Sequence, residues 1–337
     1  MTIKSVLAQG KQLLRQAGME TPSLDAELLL SSLLHKDRAH LILDMDNQLS
    51  PEDYQHYITQ LTRRLEGECT AYITGHKEFR YLDLYINENV LVPRPETESL
   101  VEAALECIDS LTRNKTVKQK EAALLQEHPV SPPISVLDLC TGSGAIALSL
   151  LHERASIEIY ASDISEPALA VAKKNYLSFT ASLEPVSGEV GLHPPFPPPS
   201  AGTQIPPPFT GRKPPVFIHS DLFEHINRRF NIIVSNPPYI PSKDIVRLSK
   251  EVQHEPLIAL DGGTDGLDLV RKIIEGAWEH LFKNGYLLLE SSPEQIPDIT
   301  LLLQHSGCHD IVVYKDLAGN QRVIRAMAPA FTFRQGK

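Results

Sequence analysis

From residue 134 onward, short apolar runs alternate with longer segments whose apolar residues recur at helical spacing. Apolar runs of roughly four to eight residues are typical of buried strands, and a repeat of three to four residues is typical of one helix face. The alternation favours a doubly wound α/β sheet. It predicts strands at 134–139, 157–162, 216–219, 230–235, 285–290, 310–315 and 322–327, and helices at 144–154, 166–179, 266–282 and 293–305.

The last two predicted strands are separated only by a short turn around Ala318-Gly319-Asn320. Two strands joined in this way form an antiparallel hairpin. We therefore expect an antiparallel strand at that end of the sheet.

Residues 2–66 carry apolar residues at helical spacing. Ser50-Pro51 has the residue types that begin a helix, a hydroxyl cap followed by proline in the first turn. We predict a small helical domain at residues 1–75. No apolar run is long enough to cross a bilayer and the first residues lack a secretory apolar core, so a cytoplasmic location is expected.

Between residues 76 and 92 the apolar spacing changes to that of strands, and Asn87-Glu88-Asn89 interrupts it. This pattern predicts a hairpin that is broken near those three residues. We expect residues 76–95 to form a hairpin linker, and the natural hinge, between the helical domain and a second domain at 96–330. The second domain should begin with a helix that runs through Leu111.

Two segments interrupt the pattern of the second domain. Residues 113–133 are polar and rich in lysine, and residues 182–215 hold eleven of the 26 prolines. Such a proline-rich insert cannot continue a helix or a central strand. It could bind a proline-recognising partner, but its composition favours a solvated loop extension.

The net charge of −10 argues against tight, non-specific binding to a nucleic-acid backbone. The four cysteines form no CxxC pair, which favours reduced thiols over a disulfide framework or a zinc site. The 13 histidines show no metal-binding spacing, so no metal is expected.

The most informative residues are Asn236-Pro237-Pro238-Tyr239, directly after the apolar run at 230–234. Ligands of open α/β sheets bind beyond the carboxyl ends of the strands. The Asn236 side-chain oxygen and the Pro237 carbonyl are two adjacent acceptors, and Tyr239 adds an aromatic face. This set suits a planar –NH2 group that donates two hydrogen bonds, as in an amide or amino nitrogen that is to be alkylated.

The strands before this one also end in polar residues. The first leads into Asp138-Leu139-Cys140-Thr141-Gly142-Ser143-Gly144, whose glycines allow a close backbone approach to a ligand. The second ends at Asp163, where a carboxylate can accept both ribose hydroxyls. The third is followed by Asp221, which can read an adenine edge, with Leu222 against the ring.

The charge of Asp138 would repel a pyrophosphate but attract a sulfonium group, which favours S-adenosylmethionine over NAD. Each aspartate could instead be a helix cap or a turn residue. Their recurrence at successive strand ends favours a cofactor site. Glu290, also at a strand end, is predicted to be structural.

With these residues the chain resembles the PrmC/HemK family, the protein-(glutamine-N5) methyltransferases that modify class I peptide-chain release factors. The tetrad at Asn236 is shared with DNA and RNA amino-methyltransferases, whereas other matching segments are more specific to this family. The matching segments are Gly75 to Phe79, Val92 to Glu98, Asp138 to Ala145, Asp163, Asn236 to Tyr239, Glu255 to Leu257, Gly262-Gly263, Asp265 to Asp268 and Leu288 to Glu290.

The resemblance implies a Rossmann-like class I fold of S-adenosylmethionine-dependent methyltransferases, with a seven-stranded mixed sheet. It implies transfer of a methyl group to the N5 amide nitrogen of the glutamine in the Gly-Gly-Gln motif of release factors, which supports translation termination. No membrane and no direct nucleic-acid binding are expected.

The resemblance also assigns roles to residues. Cys140, Thr141, Gly142, Ser143 and Gly144 would line the methionine end of the cofactor, with Asp138 and Asp221 also at the cofactor. Asp163 would hold the ribose and Leu222 would lie beside the adenine. Asn236, Pro237, Pro238 and Tyr239 would bind the substrate glutamine, with Asn236 also at the cofactor and with Asn236, Pro237 and Tyr239 as catalytic residues.

Two features depart from the family pattern. Cys140 stands where many relatives have glycine, and the insert at 182–215 is larger than usual. The alternative function is an N6-adenine methyltransferase that acts on DNA or RNA with the same tetrad. Such an enzyme needs a basic target-recognition surface, and residues 1–75 contain no concentrated lysine and arginine stripe.

Overall fold

The computed structural model describes residues 1–124, 132–181 and 213–329. The chain begins with a group of short helices, in agreement with the helical pattern of residues 2–66. These helices are α1 (Ile3–Gln16), α2 (Pro22–Leu33), α3 (Arg38–Leu43), α4 (Pro51–Leu65) and α5 (Thr70–Thr74).

The N-terminal helices share an apolar core of their own, to which Leu14, Leu29 and Tyr57 contribute fully buried side chains. The predicted start of α4 is confirmed, because the Ser50 hydroxyl accepts a hydrogen bond of 3.0 Å from the Asp53 backbone N–H. Each large apolar side chain that is removed from water here stabilises the fold by about 1.5–3 kcal/mol.

A two-stranded hairpin follows, formed by β1 (His76–Phe79) and β2 (Leu82–Tyr85). Its turn lies at Arg80-Tyr81, where Arg80 adopts a φ of 51°. The predicted break at Asn87–Asn89 is therefore wrong: that segment makes a separate turn after β2, in which Asn87 Oδ1 accepts from the Asn89 N–H.

The hairpin packs against the second part of the chain. The Tyr85 N–H donates to Asn175 Oδ1 over 2.7 Å, and the Arg80 guanidinium donates to Glu153 over 2.8 Å. Phe79 belongs to the same apolar cluster as residues of the large sheet. These contacts attach the predicted hinge to the sheet domain.

The next helix is α6 (Glu98–Leu124), preceded by one turn of 3-10 helix at Pro95–Thr97. The predicted end of this helix near Leu111 is wrong. Residues 112–116 are polar and largely exposed, and an exposed helix surface shows no apolar period.

In the described ranges, seven strands form the main sheet in the order β5-β4-β3-β6-β7-β9-β8, with β9 antiparallel to both of its neighbours and the other pairs parallel. The predicted seven-stranded mixed sheet of the class I methyltransferase fold, with its closing antiparallel hairpin, is confirmed. The strands are β3 (Ser135–Leu139), β4 (Glu158–Asp163), β5 (Val216–His219), β6 (Phe230–Ser235), β7 (Leu281–Glu290), β8 (His309–Lys315) and β9 (Gln321–Met327).

Helices cover both faces of this sheet, and each face has its own apolar cluster. Neighbouring residues of one strand point to opposite faces, so Val136 belongs to one cluster and Leu137 to the other. The remaining helices are α7 (Ala145–Glu153), α8 (Glu166–Ala181), α9 (Lys250–Gln253), α10 (Asp268–Ala277) and α11 (Ile296–His305), with 3-10 turns at Ser242–Arg247, Leu257–Ala259 and Pro293–Gln295.

The helix predicted at 266–282 is shorter than expected, because β7 already begins at Leu281. The proline-rich insert at 182–215 lies outside the described residues except for 213–215, as does part of the segment at 113–133. Within the described ranges, no helix combines the length and the apolar character needed to cross a membrane.

Candidate active site

A cavity of about 770 Å³ opens at the carboxyl ends of β3, β4, β5 and β6. Because these four strands are parallel neighbours, the residues that follow each of them meet at one edge of the sheet. The predicted site residues that line the cavity are Cys140, Thr141, Gly142, Ser143, Asp163, Asp221, Leu222, Asn236 and Pro238.

Four other predicted residues do not contribute to the cavity wall: Asp138, Gly144, Pro237 and Tyr239. Gly144 adopts a φ of 81° at the start of α7, where an added Cβ would lie 3.3 Å from Ala172. This glycine therefore allows close packing of two helices and lies behind the loop that it ends.

Asp138 is fully buried beneath the loop. One carboxylate oxygen accepts from the Thr141 hydroxyl over 2.6 Å and from the Ala147 N–H over 3.2 Å, and burial raises the pKa of Asp138 to about 7. Asp138 thus holds the loop and the start of α7 from below, while the loop residues themselves face the cavity.

Asp163 lies at the cavity and also braces the loop. Its two oxygens accept from the Gly142 N–H and the Ser165 N–H, each over 2.9 Å. Burial raises the pKa of Asp163, and these backbone hydrogen bonds act in the opposite direction because they favour the carboxylate. Each carboxylate oxygen can accept a second bond, so Asp163 can still receive ligand hydroxyls.

The loop after β3 turns back toward α7 through left-handed backbone conformations. Gly142 has a φ of 54° and Cys140 a φ of 59°. The second value is unusual because a Cβ makes this region unfavourable for residues other than glycine. Burial and the nearby Asp163 raise the pKa of the Cys140 thiol, which keeps it protonated.

Asn236 follows β6, and its side-chain orientation is fixed by its neighbours. Nδ2 donates to Thr97 Oγ1 over 3.2 Å. Within the part of the chain that the structure describes, neither Asn236 Oδ1 nor the Pro237 carbonyl accepts a hydrogen bond. The two predicted acceptors are thus left without a protein donor, although only Asn236 lies on the cavity wall.

The backbone that leaves the tetrad lies against the glycine-rich segment 262–266. The Ile240 N–H donates to the Leu260 carbonyl over 3.0 Å, and the Gly262 N–H donates to the Ile240 carbonyl over 2.9 Å. A Cβ on Gly262 would come within 2.8 Å of the Pro238 carbonyl oxygen. Glycine at this position is therefore needed so that the two backbones can approach.

The segment before α6 is attached to the segment after the tetrad by a partly buried ion pair. Arg94 pairs with Glu255, which is 4% exposed and also accepts from the Val92 N–H over 3.3 Å. Pro93 and Thr97 of this segment line the cavity. The segment therefore forms part of the cavity wall and also leads into α6.

The charged side chains of the cavity wall are mostly acidic. Among the described residues they are Asp163, Asp221, Asp261, Asp268 and Lys272. Such a lining is unfavourable for a pyrophosphate and favourable for a cationic group. No group of three histidine, cysteine or acidic residues in the described ranges is arranged to hold a metal ion.

Sequence reasoning did not assign several of the cavity residues. Leu257 and Ile258, which are 58% and 55% exposed, lie at the wall beside Glu255-Pro256. Their exposure is a property of the fold that the sequence does not reveal, and the available signal was the match of Glu255 to Leu257 to the family pattern. Lys272 gave no such signal.

Two family models match the chain. Residues 5–75 match the "PrmC N-terminal domain" and residues 114–190 match the "Methyltransferase small domain". The second match extends beyond the described residues.

A release factor glutamine methyltransferase of Coxiella burnetii is 35% identical over 91% of this chain and 92% of its own length. A bifunctional methyltransferase of Rickettsia conorii is 32% identical over 96% of this chain, but the chain spans only 57% of that longer protein. A solved release factor-specific protein-(glutamine-N5) methyltransferase from Alicyclobacillus acidocaldarius is 21% identical, with a TM-score of 0.36 over 73% of this chain and 99% of that one. The chain belongs to the family of release factor glutamine methyltransferases.

Proposed function

We propose that this protein transfers a methyl group from S-adenosylmethionine to the N5 nitrogen of the glutamine in the Gly-Gly-Gln motif of class I peptide-chain release factors. One observation carries the proposal: Thr97 holds the amide nitrogen of Asn236, so that the amide oxygen is left for a donor in an acid-lined cavity. Membership of the family supports the same substrate class.

The cofactor fits the cavity in three respects. The acidic wall suits a sulfonium, Asp163 is placed to hold ribose hydroxyls, and Leu222 offers an apolar side chain for the adenine. The loop from Cys140 to Ser143 would lie along the methionine end. When bound, the cofactor supplies an electrophilic methyl group.

The protein's own task is to bind and orient a poor nucleophile. The lone pair of an amide nitrogen is delocalised into its carbonyl group, and two acceptors that bind both N–H groups fix the rotation of the –NH2. We assign these acceptors to Asn236 Oδ1 and to the Pro237 carbonyl, which is bonded to the cavity residue Pro238. Both acceptors favour the more positive nitrogen of the transition state.

We expect positioning to supply most of the rate. The enzyme holds the amide nitrogen and the methyl donor in a reactive geometry, so the reaction no longer depends on a rare encounter of the two in solution. The nitrogen becomes acidic once it is methylated, so its proton can then leave to water. Tyr239 is half-buried, and removal of its hydroxyl from water raises the pKa of that group, so it remains a neutral aromatic surface rather than a base.

The test is methylation of a purified class I release factor by the full chain with labelled S-adenosylmethionine, followed by mass mapping. Label is expected on the glutamine of the Gly-Gly-Gln motif and on no residue of a release factor in which that glutamine is alanine. Label on adenine of DNA or RNA, with none on release factor, would contradict the proposal and support the alternative function.

A further inference from the structure

Glu290 lies directly beside Asn236, although the cavity wall does not include it. In the parallel register of β6 and β7, Ser235 pairs with Leu289, so that Asn236 and Glu290 are the next residues on adjacent strands. Glu290 is 1% exposed, and its Oε2 has no hydrogen-bond partner among the described residues. A buried polar atom without a partner costs about 1–3 kcal/mol, which calls for an explanation.

The neighbours of Glu290 connect it to the proposed amide-binding residue. The Thr97 hydroxyl and the Asn236 amide lie near enough to the Glu290 carboxylate to favour its charged form and so lower its pKa, against the larger effect of burial. Thr97 Oγ1 in turn accepts from Asn236 Nδ2 over 3.2 Å. Thr97 and Asn236 thus form a hydrogen-bonded network beside a buried carboxylate oxygen of Glu290 that is left to accept from it.

Such networks polarise their members, because each hydrogen bond strengthens the next in a medium of low dielectric. An amide whose N–H groups donate toward an anionic network carries more negative charge on its oxygen. The oxygen of Asn236 is the atom that would accept from the substrate.

We propose that Glu290 is a positioning residue for methyl transfer: through Thr97 it fixes the orientation of the Asn236 amide and strengthens Asn236 Oδ1 as an acceptor. This role rests on the proposed function. It replaces the structural role that the sequence alone suggested for Glu290.

The network predicts a dependence on pH. Burial raises the pKa of Glu290 to about 7; Glu96 raises it further and Arg322 lowers it, while Tyr239 faces it as a neutral group. The ionised network therefore forms as the pH rises through about 7. The value of kcat should rise over the same interval.

Stability should change in the opposite direction. Because the folded-state pKa lies above the ordinary value of 4.5, the contribution of Glu290 to stability is fully present below pH 4.5 and is lost as the pH rises through about 7. Glu290→Gln removes the cost of the buried charge. This variant should therefore be at least as stable as the wild type near pH 8. If the role of Glu290 were purely structural, the same substitution would lower the stability of the fold.

The experiment compares the wild type, Glu290→Gln and the exposed control Glu275→Gln. It measures kcat on release factor across pH, cofactor affinity by calorimetry and the melting temperature. Glu290→Gln should lower kcat at least about tenfold near pH 8, lose the rise of kcat near pH 7 and keep its cofactor affinity and melting temperature. Thr97→Val should lower kcat in the same way, and Thr97→Ser, which keeps the hydroxyl, should not.

A Glu290→Gln enzyme with wild-type kcat and pH profile would overturn the role. Equal losses of kcat, cofactor affinity and melting temperature would also overturn it, because they would indicate a structural residue. Failure of the proposed function would be detected separately, because the wild-type enzyme would then put no label on release factor. In that case Glu290 would have no role in this methyl transfer.

Discussion

A Cβ built on Gly266 would overlap the carbonyl oxygen of Tyr239, so glycine leaves the room that this oxygen needs. The same carbonyl accepts from Gln295 Nε2 over 2.9 Å, and Gln295 also donates to the Asp265 carbonyl over 3.3 Å. Two separate segments, one at Asp265-Gly266 and one at Gln295, thus hold the backbone of Tyr239, the last residue of the tetrad.

We therefore expect Gly266→Ala to displace the tetrad. The matched control is Gly307→Ala: both glycines have a positive φ, 79° and 74°, but a Cβ on Gly307 meets nothing within 4 Å. Both variants should lose about 1–2 kcal/mol from backbone strain. Only Gly266→Ala should lower kcat, by roughly 100-fold, because a displacement of about 1 Å has an effect of that size.

Steady-state kinetics on release factor and urea denaturation of both variants would check this. Equal kcat values in the two variants would show that the position of the tetrad does not depend on Gly266.

The sequence predicted the strand and helix order because apolar periodicity is a local signal that burial imposes on each element. The end of α6 was missed for the same reason, since residues 112–116 are largely exposed and leave no apolar period. The turn at Arg80 was also missed. Asn87–Asn89 has the residue types of a turn, whereas nothing about an arginine indicates the left-handed conformation that Arg80 adopts.

The part of the site that follows the ends of strands could be predicted from the sequence. Asp163 and Asn236 follow strands and reach the cavity as expected. Asp138 also follows a strand, but its carboxylate turns inward to Thr141. The proximity of Thr97 to Asn236 joins residues 139 positions apart, and no local pattern could show it.

Replacement of the proposed amide-binding residue should separate catalysis from cofactor binding. Asn236→Ala removes the acceptor oxygen, and loss of one such interaction in an active site lowers kcat by about 10²–10³-fold. Cofactor affinity, measured by calorimetry, should change by less than about twofold, since Asp163 and the loop after β3 remain. The exposed Asn227→Ala is the control for the substitution itself. An Asn236→Ala enzyme that retains wild-type kcat would exclude this residue from catalysis.

Asp163 should show the converse behaviour. Asp163→Ala is expected to weaken S-adenosylmethionine binding by about 1–3 kcal/mol, because the ribose would lose a charged acceptor. Part of this loss comes from the Gly142 N–H, which would lose its partner. Asp163→Asn keeps one acceptor oxygen and should give an intermediate affinity, and the exposed Asp298→Asn should bind as the wild type does. Unchanged affinity of Asp163→Ala in calorimetry would place the ribose elsewhere.

Cys140 is expected to cost stability because its backbone adopts a conformation that favours glycine. Its φ of 59° is in the left-handed region, which costs a residue with a Cβ about 1–2 kcal/mol, whereas glycine adopts it without this cost. The difference in stability between Cys140→Gly and the wild type would also include the effect of losing the thiol. The informative pair is therefore Cys140→Gly and Cys140→Ala, since both lack the sulfur and differ only in the Cβ.

Relief of the backbone strain stabilises the glycine variant. The greater freedom of glycine in the unfolded chain lowers its free energy of unfolding by about 0.5–1 kcal/mol. We expect Cys140→Gly to be more stable than Cys140→Ala by about 0.5–1 kcal/mol in urea denaturation. If the alanine variant is equally or more stable, the loop accepts a Cβ at Cys140 without strain. In that case the surroundings of Cys140 hold its thiol in place, and the backbone of the loop after β3 carries no strain energy at this residue.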